Sequence, residues 1–180
     1  WSGWVKRGQL SINPYLFSSG GASTPEFIPS FSSANELNIG YWNGGSYTYR
    51  LLTTQVFRDP SAWYHIVIAW DTTQATASNR IKVYVNGVQV TAFSTASYPS
   101  LNYDSAYINT TSAQYIGSAG TGAYFDGYLT EVNFIDGQAL TPSSFGDYNA
   151  ITGVWQPVGY AGTYGTNGFY LPMTLDNTTE

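Results

Sequence analysis

Trp63-Tyr64-His65-Ile66-Val67-Ile68-Ala69-Trp70-Asp71 carries the densest β-signal in the chain. Branched and aromatic side chains follow one another without a helical period, and Asp71-Thr72-Thr73 ends the run in turn formers. Both faces of this stretch are largely apolar, as expected of a central strand covered on both sides. The next run, Ile81-Lys82-Val83-Tyr84-Val85, alternates. Ile81, Val83 and Val85 share one face, predicted to point between two sheets, and Lys82 and Tyr84 share the other. Asn86-Gly87 then separates it from Val88-Gln89-Val90. Asn-Gly between alternating runs predicts a two-residue hairpin, because both residues accept φ > 0 in a type I′ turn.

Working outward, the same signals predict strands at Gly3–Arg7, Tyr15–Ser18, Glu36–Tyr41, Tyr47–Leu52, Ala113–Ser118, Tyr128–Ile135 and Gly168–Pro172. Gly, Pro, Asn and Ser punctuate them at short intervals, which is the pattern of a sandwich or barrel. Helix signals are nearly absent. One short helical turn is expected at Thr141–Phe145, with Thr141 as its N-cap and Pro142 as its first residue. The Gly- and Tyr-rich stretch from Gly153 to Gly168 contains Trp155 and Tyr160, material for packing an ordered loop along the sandwich. The fold class is therefore all-β, spanning residues 1–180 as a single domain. The chain opens on Trp1-Ser2-Gly3-Trp4, already strand-like, and reads as a fragment of a longer polypeptide.

The chain has 180 residues and no cysteine, so neither disulfides nor thiolate metal sites hold it. Charged residues make up 9 %, against about 25 % in an average soluble protein. No apolar run approaches the ~18 residues of a membrane span, so the surface must be built from Ser, Thr, Asn, Gln and Tyr. Net charge is −5, and the six cations, Lys6, Arg7, Arg50, Arg58, Arg80 and Lys82, form no stripe. Nucleic-acid binding, which rests on phosphate neutralisation, is not expected, nor is insertion in a membrane.

Two segments resemble the laminin-G-like jelly rolls of the concanavalin-A type. The first is Trp63–Asp71 followed by Arg80-Ile81-Lys82-Val83-Tyr84-Val85-Asn86-Gly87-Val88. The second is Tyr124-Phe125-Asp126-Gly127-Tyr128-Leu129-Thr130-Glu131-Val132-Asn133-Phe134-Ile135-Asp136-Gly137-Gln138-Ala139-Leu140-Thr141. Tyr164-Gly165-Thr166-Asn167-Gly168-Phe169-Tyr170-Leu171 is similar to an ending found in versions of this domain from phage tail, fibre and head-surface proteins. The resemblance implies a two-sheet antiparallel jelly-roll sandwich that binds glycans or proteins, sometimes with a calcium ion at the rim. It points to a virion-surface or other extracellular setting, in a homo-oligomer.

Glycoside hydrolysis needs two carboxylates about 5–10 Å apart, and glucanases of this general fold carry them on an E-x-D-x-E strand. This chain has Glu26, Glu36, Glu131 and Glu180 and no such strand. Glu131 is read as a structural hydrogen-bonding group. His65, the single histidine, sits inside a strand and is read as a satisfied core or sheet residue, with no nucleophile beside it in sequence. For metal, the candidates are Asp71, Asp126 and Asp136, each at a strand end where loop carbonyls could complete a calcium shell; Asp before Gly is equally turn chemistry. Asn109-Thr110-Thr111 and Asn177-Thr178-Thr179 match the N-glycosylation acceptor pattern.

Two loops carry the residue types that bind sugars. Tyr41–Tyr47 offers Trp42, Asn43 and Tyr47; Tyr98–Tyr107 offers Tyr98, Tyr103 and Asp104. Aromatic faces stack on a pyranose, amides and carboxylates supply direction, and loop tyrosines give contact area at low entropic cost. The leading expectation is a non-catalytic adhesion module of a virion or other extracellular assembly, contacting a glycan or host-surface receptor. The alternative is a purely structural decoration domain packing on neighbouring subunits; a glycan hydrolase stands third, for want of the carboxylate pair.

Overall fold

The computed structural model describes residues 1–21, 23–120 and 122–173. In chain order the strands are β1 (Ser2–Arg7), β2 (Phe17–Ser19), β3 (Glu26–Phe31), β4 (Glu36–Trp42), β5 (Tyr47–Val56), β6 (Tyr64–Trp70), β7 (Ile81–Val85), β8 (Val88–Val90), β9 (Phe93–Ser97), β10 (Gln114–Ile116), β11 (Gly127–Phe134), β12 (Gly146–Tyr148), β13 (Trp155–Pro157) and β14 (Phe169–Leu171). Two six-stranded sheets face each other, sheet A in the order β14-β11-β1-β6-β7-β8 and sheet B in the order β10-β2-β3-β4-β5-β9. Their named pairings are antiparallel. This is the jelly-roll sandwich that the resemblance implied, and it decides between the sandwich and the barrel that the strand pattern left open.

The inter-sheet core follows period two. Ile66 and Ile68 of β6 and Ile81, Val83 and Val85 of β7 meet Leu37, Ile39, Tyr49 and Leu51 of sheet B there. Tyr84 points the other way, into a second cluster with Val67, Ala69, Ile135 and Phe145. That cluster explains why β6 is apolar on both faces: the chain beyond β11 folds back over the outside of sheet A. The short 3-10 turn Pro142–Ser144 and the β12–β13 hairpin belong to this cover. Asn86 and Gly87 take φ of 48° and 83°, and Val85 pairs with Val88 across them, which is the type I′ hairpin.

Several boundaries shift from those read in sequence. β2 begins at Phe17, and Tyr15 makes only an isolated bridge to Ser30. β5 runs on to Val56. β3 carries Pro29 in its middle, and proline argues against a central strand; here the ladder between β3 and β4 breaks register between Phe27 and Ser30, which accommodates it. β11 is also irregular: its register against β1 shifts between Ser2 and Trp4, and Glu131 takes φ of 52°.

Candidate functional site

At one end of the sandwich, the loops after β6, β9 and β11 surround a cleft of about 460 Å³. Its apolar floor is the end of the core, including Ile28, Ile68 and Phe134, and Trp70 and Tyr103 supply its aromatic walls. Trp70 ends β6, whose odd neighbours face the second cluster, so its ring turns inward. It packs edge-on against Tyr49 at 5.2 Å and lies 6.4 Å from Tyr103. Tyr49 meets Tyr103 at 5.6 Å, closing a three-ring cluster beneath the cleft.

Three carboxylates line this cleft: Asp71, Asp104 and Asp136. Asp71 caps the turn after β6. Its Oδ1 accepts from Thr73 N and Oγ1, and its Oδ2 accepts from Gln74 Nε2. These bonds favour the ionised form, so its pKa lies below the usual carboxylate value. Asp136 accepts from Asn109 Nδ2 at 2.8 Å and from Asn167 N at 3.2 Å. Asn109 is thereby engaged on both sides, since its Oδ1 accepts from Asn167 Nδ2. Asp104 is exposed, and no hydrogen bond from another described residue holds its carboxylate. It is the acceptor in the cleft left open to a ligand.

The loop bearing Tyr103 and Asp104 is tied down from three sides. Arg80 Nη1 donates to Pro99 O, and Thr72 Oγ1 donates to Tyr103 O. The third tie is Glu26, a carboxylate with 0 % exposure that forms no ion pair among the described residues. Its Oε1 accepts from Tyr49 Oη (2.9 Å), and its Oε2 from Ser105 Oγ (2.6 Å), Tyr107 N (2.9 Å) and Ile108 N (3.3 Å). Burial, then the neighbouring Glu26 charge, push the Tyr49 and Tyr103 hydroxyls above their ordinary pKa. The sequence reading gave Glu26 no role. Its partners Ser105, Tyr107 and Ile108 lie about eighty positions away along the chain, and no local pattern marks it.

The sequence-predicted residues divide between two places. Tyr103 and Asp104 line the cleft together with Asp71 and Asp136, so two of the six expected sugar contacts and two of the three expected metal ligands share one site. Tyr98 packs against the core instead. Trp42, Asn43 and Tyr47 do not line the cleft. Asn43 Oδ1 accepts from Gly45 N and Ser46 N and so shapes the β4–β5 turn, while Trp42 packs edge-on against Tyr47 at 5.1 Å. Asp126 stands at the far end of β11, where its carbonyl accepts from Gly8 N.

The donor set does not fit calcium. Among the described residues no three His, Cys, Asp or Glu side chains converge on a metal position, and the oxygens of Asp71 and Asp136 are already engaged by internal donors. His65 and Glu131 likewise have structural partners. Trp155 Nε1 donates to His65 Nδ1 at 3.0 Å, and His65 Nε2 meets Ser2 Oγ at 2.9 Å. Tyr170 Oη donates to the Glu131 carboxylate. Asn177 lies outside the described residues.

The family described as the concanavalin A-like lectin/glucanases superfamily matches residues 1–144. Among solved structures, the chain is similar to the native heptameric SAP-like pentraxin from Limulus polyphemus. The identity is 19 % and the TM-score 0.47, covering 72 % of this chain and 59 % of the pentraxin chain. The chain thus spans less than two thirds of that protein's length. No curated protein matches it.

Proposed function

Because the chain belongs to the concanavalin A-like lectin/glucanase superfamily, we propose that it is a non-catalytic glycan-binding module whose site is the cleft between Trp70 and Tyr103. The observation that carries this reading is the meeting, in one concave site, of two aromatic walls with the open carboxylate of Asp104. A pyranose has an apolar C–H face for the rings and hydroxyls that donate to a carboxylate. Polar groups converging beside apolar and aromatic walls in a concave cleft is the usual build of a small-ligand site. Asp71 is held ionised by its own turn, the opposite of the raised pKa a proton-donating carboxyl needs at neutral pH. This supports binding without turnover. The setting we propose is a virion surface or another extracellular assembly, with the module repeated in a homo-oligomer.

Glycan-array binding of the wild type, Tyr103→Ala, Asp104→Asn and Trp42→Ala tests the assignment. Binding to neutral sugars should fall at least tenfold in the two cleft variants and persist in Trp42→Ala. Release of reducing ends from any bound polysaccharide would overturn the non-catalytic reading. Unchanged binding in both cleft variants would remove the cleft.

A further inference from the structure

The two sheets treat their outer faces differently. That of sheet A lies in part under the chain beyond β11. That of sheet B carries a row of aromatic rings. Leu37, Ile39 and Tyr41 of β4 point into the core, so Asn38, Gly40 and Trp42 point out. Tyr49 and Leu51 of β5 point in, so Arg50 points out. In β3, Phe27 pairs with Gly40 and sits outside the core cluster. Tyr15 stacks on Phe27 at 4.9 Å with 9° between the ring planes. A Cβ on Gly40 would lie 3.3 Å from Phe27 Cζ and 3.4 Å from Tyr47 Cδ1. The bare backbone there is what lets both rings lie down over the sheet. Trp42 closes the row against Tyr47. Phe27 itself is buried beneath these rings, so Tyr15, Tyr47 and Trp42 are the rings that reach the surface across β3, β4 and β5, roughly 10 Å over two inter-strand spacings.

Arg50 stands beside this strip with its guanidinium 4.4 Å from the centre of the Tyr47 ring. Its Nε donates to Asn38 Oδ1 at 3.0 Å, which fixes the plane of the fork. No carboxylate of the described residues pairs with it, so both terminal nitrogens remain for a ligand. A planar fork of N–H donors fits a carboxylate bidentately. On this strip the Arg50 fork, its plane fixed by Asn38 and Tyr47, sets the sign of the partner.

We propose that the outer face of sheet B binds an acidic polysaccharide, sugars lying along the strip of Tyr15, Tyr47 and Trp42 and a uronate carboxylate paired with Arg50. This rests on the reading of the chain as a glycan binder and adds a second site with a different ligand class. An open face buries little of one sugar, so a linked run is needed for useful contact area. The strip supplies stacking and Arg50 the selection for acidic over neutral units.

The test compares polygalacturonate with its fully methyl-esterified form, which keeps the backbone and loses the charge, and with polyglutamate, which keeps the charge and loses the sugars. Affinity electrophoresis or calorimetry should show polygalacturonate bound at least tenfold more tightly than either control. Arg50→Gln and Tyr47→Ala should each weaken it about tenfold, with Arg50→Lys intermediate and circular dichroism unchanged. Asp104→Asn in the cleft should leave it intact while lowering neutral-sugar binding. No binding of polygalacturonate, equal binding of polyglutamate or of the ester, or loss through Asp104→Asn and not through Arg50→Gln would each overturn the proposal. Failure of neutral sugars to bind, with uronate binding still dependent on Arg50, would count against the cleft alone.

Discussion

The Trp155 indole N–H reaches 90 positions back along the chain to His65, and this bond fixes the state of the only histidine. An indole can only donate, so Nδ1 accepts and the proton sits on Nε2, facing Ser2 Oγ. Trp4 stacks on the same ring at 5.0 Å. Burial of this neutral imidazole pushes its pKa from 6.5 down to about 4. Protonation is therefore easier in the unfolded chain, and stability present above pH 6.5 is lost as pH falls towards 4. Between pH 7.5 and pH 5, where carboxylates remain mostly ionised, the loss from this group should be about 2 kcal/mol. Urea unfolding at the two pH values checks it, with His65→Gln flattening the difference. NMR should show the His65 ring signals unmoved down to pH 5; titration near 6.5 in the folded protein would refute the assignment. Residue-scale chemistry of this kind was legible only in part. That His65 would be structural followed from the absence of a partner nucleophile, but its partner Trp155 lies on a remote strand that only tertiary packing brings near.

The hairpin between β7 and β8 shows how an element is read from sequence and then used for something the sequence does not display. Asn86-Gly87 announces the turn because its geometry requires φ > 0 at both positions. In the structure the Trp155 ring also lies on Gly87, where an added Cβ would stand 2.9 Å from Cζ3. The Asn86 side chain reaches across to accept from His65 N. Gly87→Val should therefore cost both turn strain and the docking of β13, on the order of 1–3 kcal/mol for the backbone alone. Thermal melting should show the loss, and Trp fluorescence should shift to the red as Trp155 is displaced; a wild-type melt would sink the argument. β6, β7, β8 and β11 were legible because alternation and turn residues agree there. β3 was not, because Pro29 is a strand-breaker by every local rule and is tolerated only through the broken register against β4. The cleft was half legible: Tyr103 and Asp104 stood out as an aromatic-acidic pair, but their convergence with Asp71 and Asp136 depends on loops after three different strands. The strip on sheet B was hidden for a related reason. Trp42 and Tyr47 are visible in one loop, whereas Tyr15 and Arg50 join them only through cross-strand register.

At the scale of the whole molecule, the chain beyond β11 covers part of the outer face of sheet A, while the end cleft and the outside of sheet B stay accessible among the described residues. Both are shallow or small, and sugars compete with water for each hydrogen bond they would make. Single-site binding should accordingly be weak. Joining copies of the module converts later contacts into intramolecular ones, with gains of about 10²–10⁴ where the spacing permits simultaneous engagement. The expectation is that the chain fused to a trimeric coiled coil is retained on a glycan-coated surface within that range above the same chain fused to a monomeric carrier. Surface plasmon resonance at several ligand densities separates avidity from affinity: the gain should vanish as ligand density falls below the span of the trimer. On polygalacturonate the trimer's advantage should also shrink with added salt, because Arg50 pairing is an exposed charge interaction screened over a Debye length of about 8 Å at physiological ionic strength. Neutral sugars in the cleft should show no such dependence. Equal retention of monomer and trimer at high ligand density would mean that one module grips its ligand alone, and the case for repetition in an assembly would fall.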